Sequence, residues 1–307
     1  MGNVASLIDA QNGNQKQCFQ YDHLDRLTQA FTGNTDCTAY EGSQGNGVYD
    51  RSYQFSGDDG KLGNITGMNS LSYGYLDADH RHALTHVNGV EKYKYDAAGN
   101  VYERDGASLS YDIQNRLRSI WENGQPKGEF IYDSYGALMY EYIPATNSSR
   151  RYIGEHYEWA VYGTYKKYYI IGGVRVAFTD VVNQQPTLYW LLQDHLGSTA
   201  VIAKTDGSVE GKVWYYPYGE QRDGQGDPRT TYLFTGQRQH PVSGLYWYRS
   251  RWYDPVIGRF IQADTLVPEP GNPQALNRYA YVRNNPVRYT DPTGHAVCVD
   301  EECSLVF

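Results

Sequence analysis

A tyrosine-anchored unit recurs along residues 18–142, and it restricts the fold more tightly than anything else in the chain. Its copies read CFQYDHLDRLTQAF, YQFSGDDGKLGNIT, YGYLDADHRHALTHV, YKYDAAGNVYERDG, LSYDIQNRLRSIWENG and FIYDSYGALMYEY, with anchors Tyr21, Tyr53, Tyr75, Tyr95, Tyr111 and Tyr132. The anchors mostly lie about twenty residues apart, enough for two strands of five or six residues and two turns. Within a unit an alternating stretch ends on Tyr-Asp and two or three turn residues follow. Gly or Asn then supplies a positive-φ position, and a second alternating stretch returns with Leu, Val or Ile. Each unit is therefore expected to be a β-hairpin. A hairpin cannot bury its faces alone, so its stability has to come from its neighbours. Two copies are degenerate, since Tyr53 lacks an adjacent Asp and Tyr75 is followed by Leu76. The stretch Gly2–Asp9 reads as the second half of a unit, which predicts a chain that starts mid-repeat with an unpaired strand edge.

Composition agrees with many short strands. The 307 residues include 31 Tyr and 32 Gly but only 3 Met, and long periodic Leu/Ala runs are missing, so the expected class is all-β. A formal charge of −8 argues against a nucleic-acid partner, which would need clustered Lys and Arg in excess. Arg175 and Asp180 interrupt the most apolar stretch, YYIIGGVRVAFTDVV, so no membrane span and a soluble chain are expected. No secretory signal is visible at the N-terminus. Met1–Ser6 matches an N-myristoylation pattern, but Gly2-Asn3-Val4 recurs as Gly99-Asn100-Val101 inside a repeat, which makes the match coincidental. The cysteines form two local pairs, Cys18 with Cys37 and Cys298 with Cys303, suited to hairpin-stapling disulfides in an oxidising compartment. Four unlinked thiols are the alternative; neither spacing is that of a zinc knuckle.

Residues 143–187 continue the sheet, with Gly172-Gly173 as a two-residue hairpin turn. Asn64-Ile65-Thr66 and Asn147-Ser148-Ser149 are glycosylation-type sequons, of the kind that also arise by chance in Asn-rich turns. The final third is dense in aromatics, arginines and Asp-Pro steps. It contains YWLLQDHLGSTAVIAKTDGSVEGKVWYYPYGE, YLFTGQ, LYWYRSRWYDPVIGRFIQAD and NRYAYVRNNPVRYTDPTGH. Pro273, with Leu276, Tyr279 and Ala280 after it, predicts one short helix. Repeats and terminal block together resemble the Rhs (YD-repeat) family with its repeat-associated core. That resemblance implies hairpins joined edge to edge into a spiralling sheet, a partial cocoon, with each Tyr packed between successive hairpins and each Asp tying the following turn. It divides the chain into a YD-repeat region at 1–158, a core-associated segment at 159–295 and a tail at 296–307. Six or seven hairpins are expected to make only part of a turn.

The resemblance also implies an aspartic autoprotease that acts once, releasing the segment after the terminal Asp-Pro-x-Gly. The matching positions are Arg251, Asp264 and Asp291, with the cut at Gly294 and His295. Two carboxylates within hydrogen-bond reach share a proton, one serving as base and the other as acid, and a guanidinium can stabilise developing negative charge. Three departures stand out. Gln262-Ala263-Asp264-Thr265 replaces Ser-Pro-Asp-Pro, His295 replaces leucine, and only AVCVDEECSLVF follows. A plainer reading makes Asp254-Pro255 and Asp291-Pro292 turn formers, with Arg249 and Arg251 packing on one strand face beside Trp247. No metal or cofactor is expected. Asp77, Asp79, His80, His82 and His86 lack a ligand spacing, Asp58-Asp59-Gly60 falls short of a calcium loop, and nucleotide or hydrolase motifs are missing. The expected role is an extracellular or cell-surface shell module whose partners are other protein chains. Two alternatives remain: a surface fibre subunit joined by strand exchange, and a glycan-binding module using rings such as Trp159, Trp190, Trp214, Tyr215, Tyr216 and Tyr218.

Overall fold

The computed structural model describes residues 2–160, 163–267 and 269–299 and the backbone of 302–303. Eight strands from Ser6–Asp9 to Val90–Glu91 pair antiparallel, each with its neighbours in sequence, and fourteen from Tyr93–Tyr95 to Gln221–Gly226 do the same. No crossover interrupts either order. The chain is thus laid down hairpin by hairpin as two consecutive pleated sheets, together a ribbon-like wall, and the fold is all-β as the repeats require. The second sheet passes through residues 158 and 159 inside the strand Tyr157–Ala160.

Most of the anchor tyrosines work through the same local chemistry. The ladder slips by one residue just before Tyr21, Tyr111, Tyr132 and Tyr215, a bulge that re-aims the ring. The phenol then donates to a backbone carbonyl of the strand or turn behind it. Tyr21 reaches Val4 at 2.9 Å, Tyr75 Ile65 at 2.7 Å, Tyr95 Leu84 at 2.9 Å, Tyr111 Val101 at 2.8 Å and Tyr132 Leu117 at 2.8 Å. Burial pushes the Tyr75 hydroxyl up to about 12, so it stays a donor. The following aspartate closes the turn. Oδ1 of Asp112 accepts the N–H groups of Gln114 and Arg116 at 2.8 and 3.0 Å, and Asp133 does the same for Tyr135 and Ala137 at 2.8 and 2.9 Å. Arg116 adds a tie the sequence did not reveal: its Nε donates to Asp112 at 2.7 Å and its Nη1 to the Asp133 carbonyl of the next turn at 2.7 Å.

The degenerate copies find substitutes. Tyr53 packs its ring 5.0 Å from Tyr218, and the turn after it is a short α-helix, Gly57–Lys61, where only a turn was expected. After Tyr75 the capping role passes to Asp77, which accepts from Asp79 and His80 at 2.9 and 3.0 Å; among the described residues no His/Cys/Asp/Glu cluster suits a metal. The helix expected from Pro273 is a single 3₁₀ turn, Pro273–Leu276. It stops because the Asn277 amide is drawn inward, donating to Gly63 at 3.0 Å and Asn64 at 2.9 Å, while Tyr279 donates to Gly99 at 2.8 Å. Asn64 itself is fully buried within that network, which leaves no room for a glycan; Asn147 lies exposed in a tight turn. Cys18 and Cys37 are joined by a disulfide with Cα atoms 5.6 Å apart. Cys298 and Cys303 oppose each other in a two-stranded ladder, and the Cys303 side chain lies outside the described residues.

The inner face of the ribbon is filled by its own C-terminal third. Leu27, Tyr53, Leu109, Ile120 and Phe130 share one core with Phe234, Tyr248, Trp252, Tyr253, Phe260 and Tyr281. Polar contacts fix the plug in place: Trp252 Nε1 donates to the Tyr132 hydroxyl at 2.9 Å, and Arg104 Nε lies 2.6 Å from buried Asp254. Side chains of the first sheet also meet the far end of the second. Trp214 donates to Asp9 at 2.8 Å, Lys212 to the Gln11 carbonyl at 2.9 Å, and Arg51 pairs with Glu220 at 2.8 Å. No backbone ladder joins these ends among the described residues, so the wall meets itself without forming a barrel.

Tyr132 links repeat to repeat and wall to plug at once. Tyr132→Phe is expected to cost about 1–3 kcal/mol in urea unfolding, since the Leu117 carbonyl and the Trp252 indole N–H both lose their partner. Tyr135→Phe, at a ring 96 % exposed, should stay within about 0.5 kcal/mol. Equal effects would remove the tether from the account.

Candidate active site in the plug

Three loops of the plug bring Arg251, Asp264 and Asp291 together. Arg251 closes the turn that begins at Tyr248, whose N–H bonds the Arg251 carbonyl at 2.9 Å. The turn separates the two arginines that the sequence placed on one face. Arg249 adopts a left-handed φ of 64° and pairs outward with Glu155, whereas the Arg251 side chain is buried. Asp264 follows the strand Arg259–Phe260 and is held by its own N–H to the Arg278 carbonyl at 2.9 Å. Where the family pattern has proline, Asp264 orders its turn itself by accepting from Leu266 at 2.9 Å. Asp291 folds the chain around one oxygen: Oδ1 accepts from Thr293, Gly294, His295 and Ala296 at 3.2, 2.7, 3.1 and 3.0 Å.

The guanidinium sits between the carboxylates. Arg251 Nη2 lies 2.8 Å from Asp264 Oδ2 and 3.6 Å from Asp291 Oδ2, Nη1 donates to the Arg278 carbonyl at 2.8 Å, and Nε donates to the Gly294 carbonyl. The Phe260 ring covers it at 3.7 Å. His295, which sequence reading flagged only as a departure, places Nδ1 2.7 Å from Asp264 Oδ1. A cavity of about 40 Å³ touches all four side chains, room for roughly one water at about 30 Å³.

The two aspartates differ electrostatically. Burial pushes Asp264 up, but the His295 hydrogen bond and the Arg251 charge outweigh it and hold the carboxyl below its usual range. For Asp291 burial wins over Arg251 and the amides, and the carboxyl is raised. The site thus holds one carboxyl disposed to stay ionised beside one disposed to keep a proton.

A hairpin ribbon with Tyr-Asp turns, closed around an Arg-rich plug, is the architecture of a known family. The family described as Teneurin YD-shell matches residues 44–287. The chain belongs to it. Among its relatives, the tRNA3(Ser)-specific nuclease WapA of Bacillus spizizenii is 27 % identical over 227 residues, 70 % of this chain and 9 % of that protein. Toxin subunit YenC2 of Yersinia entomophaga is 34 % identical over 121 residues, 38 % of this chain and 12 % of that one. The crystal structure of TcdB2-TccC3 without hypervariable C-terminal region superposes with a TM-score of 0.69 at 17 % identity, covering 95 % of this chain and 17 % of that one. This YD-shell chain therefore spans between about a tenth and a sixth of the length of these proteins. Among the described residues, no helix is long and apolar enough to cross a membrane.

The loop after Asp291 depends on Gly294. Its φ is +78°, and an added Cβ would meet Ser250 Oγ at 2.2 Å and the Tyr248 carbonyl at 2.5 Å. Gly294→Ala is expected to lower stability by at least about 1–2 kcal/mol, the cost of the left-handed conformation before any clash is counted. Gly136→Ala, at φ +88° with open space around it, should cost only the conformational part. Thermal unfolding of the two variants side by side checks this, and an equal loss in both would mean that the loop is not tightly seated.

Proposed function

We propose that the chain is the closing module of a protein shell. Its plug holds the segment that begins at His295 and severs it once by hydrolysis of the Gly294–His295 peptide bond. The supporting observation is that Arg251 and Asp291 both bond that peptide unit, and that Arg251 pairs with Asp264 beside it. Asp264 takes a proton from water, the resulting hydroxide adds to the Gly294 carbonyl carbon, and Arg251 Nε, already on that oxygen, holds the negative charge that develops there. Asp291, whose carboxyl accepts the His295 N–H at 3.1 Å, gives its proton to the departing nitrogen, leaving a His295 amine and a Gly294 carboxylic acid that ionises by returning a proton to the Asp291 carboxylate. Water supplies the added atoms.

In the resting arrangement the step is blocked, because the His295 ring sits on the Asp264 oxygen that water needs. His295 must swing away first. The contacts between the first sheet and the far end of the second favour a closed module over a fibre built by strand exchange. A disulfide at Cys18–Cys37 and the likeness to a toxin subunit favour work outside the cell, against other protein chains.

Intact-mass measurement of the full chain tests the reading. His295→Leu is expected to lose the segment after Gly294 at least about tenfold faster than wild type, the factor for about 1.4 kcal/mol off the barrier. Asp264→Asn and Asp291→Asn should keep full mass. Retention of full mass by His295→Leu over the pH range would falsify the proposal. Acidification from neutrality should first speed cleavage, as raised Asp291 gains its proton while Asp264 stays ionised, and then slow it once Asp264 also protonates.

A further inference from the structure

A second cavity, of about 550 Å³, opens among the hairpin tips beside Pro292 and takes no part in the chemistry above. Its walls carry Arg175, Arg238 and Arg249, the rings of Tyr232 and Trp247, and the carboxylate of Glu155. Arg175 and Arg238 are more than nine-tenths buried, at 7 % and 5 % exposure. Both lie over Tyr232, with guanidinium carbons 3.4 and 4.6 Å from the ring centre. Their polar needs are poorly met. Arg175 Nη1 donates to the Gly236 carbonyl at 3.3 Å, Arg238 Nη2 donates to the Tyr232 hydroxyl, and Nε of each has no partner among the described residues.

The anion closest to Arg175 is Glu155, at 4.0 Å, outside hydrogen-bond range. Glu155 is instead held at the surface by Arg249, with both side chains about half exposed. Asp133 also lines the cavity, but its Oδ1 is committed to the amides of Tyr135 and Ala137. The contrast with Arg251 and Arg104 is instructive, since each of those has a carboxylate within 2.8 Å. A guanidinium offers five donors in a planar fork that matches a carboxylate, and that of Arg175 uses few of them within the protein.

We propose that this cavity is a binding site for a small carboxylate-bearing ligand. The carboxylate forks onto Arg175 at the Arg175–Tyr232–Arg238 stack, and an apolar or ring-shaped body lies against Trp247. The volume falls in the ordinary range for such sites, about 300–1,000 Å³. Glu155 serves as an internal competitor at the entrance. A carboxylate of this kind has two sources, a sugar acid or an acidic amino-acid side chain.

Isothermal titration of the full chain with D-glucuronate and with N-acetylglutamate amide tests the site, with D-glucose as the neutral control. Wild type is expected to bind at least one of the two acids and not glucose. Glu155→Gln, a surface change with little risk to folding, should tighten that binding about tenfold by removing the competing charge, and Arg249→Gln should change it less. Preference for glucuronate assigns a sugar acid, and preference for the amide an acidic side chain. Absence of heat with both acids for wild type and Glu155→Gln at millimolar concentration overturns the proposal. So does binding that Glu155→Gln leaves unchanged. Neither result bears on the cleavage measurement, which reads a different site.

Discussion

The phenol-to-carbonyl tether is what turns a string of hairpins into a wall. A ladder alone fixes each strand to its neighbour but leaves the ribbon free to flatten or twist, because backbone hydrogen bonds between strands do not set curvature. The tyrosines reach back to the carbonyls of Ile65, Leu84, Val101 and Leu117, and a ladder slip accompanies Tyr111 and Tyr132, so successive units are tied at the same point. Each bond contributes only about 1 kcal/mol net, yet it satisfies a backbone carbonyl, and leaving that carbonyl bare would cost more than the bond gains. The tie is thus enforced by the expense of the alternative.

A curved ribbon has a concave face, and that face decides what the last third of the chain must be. The plug has little regular structure of its own, with strands of two or three residues and left-handed backbone at Thr235, Arg249, Val282, Arg283 and Asn284. Such backbone survives inside a protein only where its surroundings over-determine it. Polar side chains tie it to the wall: Arg104 binds Asp254, Gln262 donates to the Asn115 carbonyl, and Arg259 donates to the His82 carbonyl at 2.7 Å. Wall and plug therefore fold as one cooperative body. The Arg251–Asp264–Asp291 centre inherits its low-dielectric surroundings from that enclosure.

What the sequence made legible follows the range of the physics involved. Tyr-Asp turns could be read because a strand end, a capping carboxylate and a positive-φ residue lie within six residues, and their chemistry is local. The Arg116 tie to Asp133 uses an unremarkable arginine whose partner is the next unit's carbonyl, so only coordinates expose it. Pro273, Leu276, Tyr279 and Ala280 carry a sound local helix signal, but Asn277 wins more by entering a buried amide network than by continuing a turn. The same network buries Asn64, a position whose sequon implied exposure. Arg249 and Arg251 looked like one strand face until the turn at 248–251 sent them to opposite environments. For the site, the trio was legible through family resemblance, while the His295 contact to Asp264 depends on how two loops meet.

The charge balance of that centre constrains how it can work. Arg251 brings one positive charge to two carboxylates and divides it unequally, at 2.8 Å from Asp264 and 3.6 Å from Asp291. Asp264, which also accepts from His295, is held below its usual range, while burial raises Asp291. In the proposed reaction the acid therefore lies beside the peptide nitrogen, and the base needs to lose its imidazole contact. Under the proposed reaction His295 is also the first residue of the released segment, so the side chain that restrains the base departs with the product. Arg251 is then left facing a new Gly294 carboxylate in place of the carbonyl, an attraction stronger than the one it replaces, which disfavours religation.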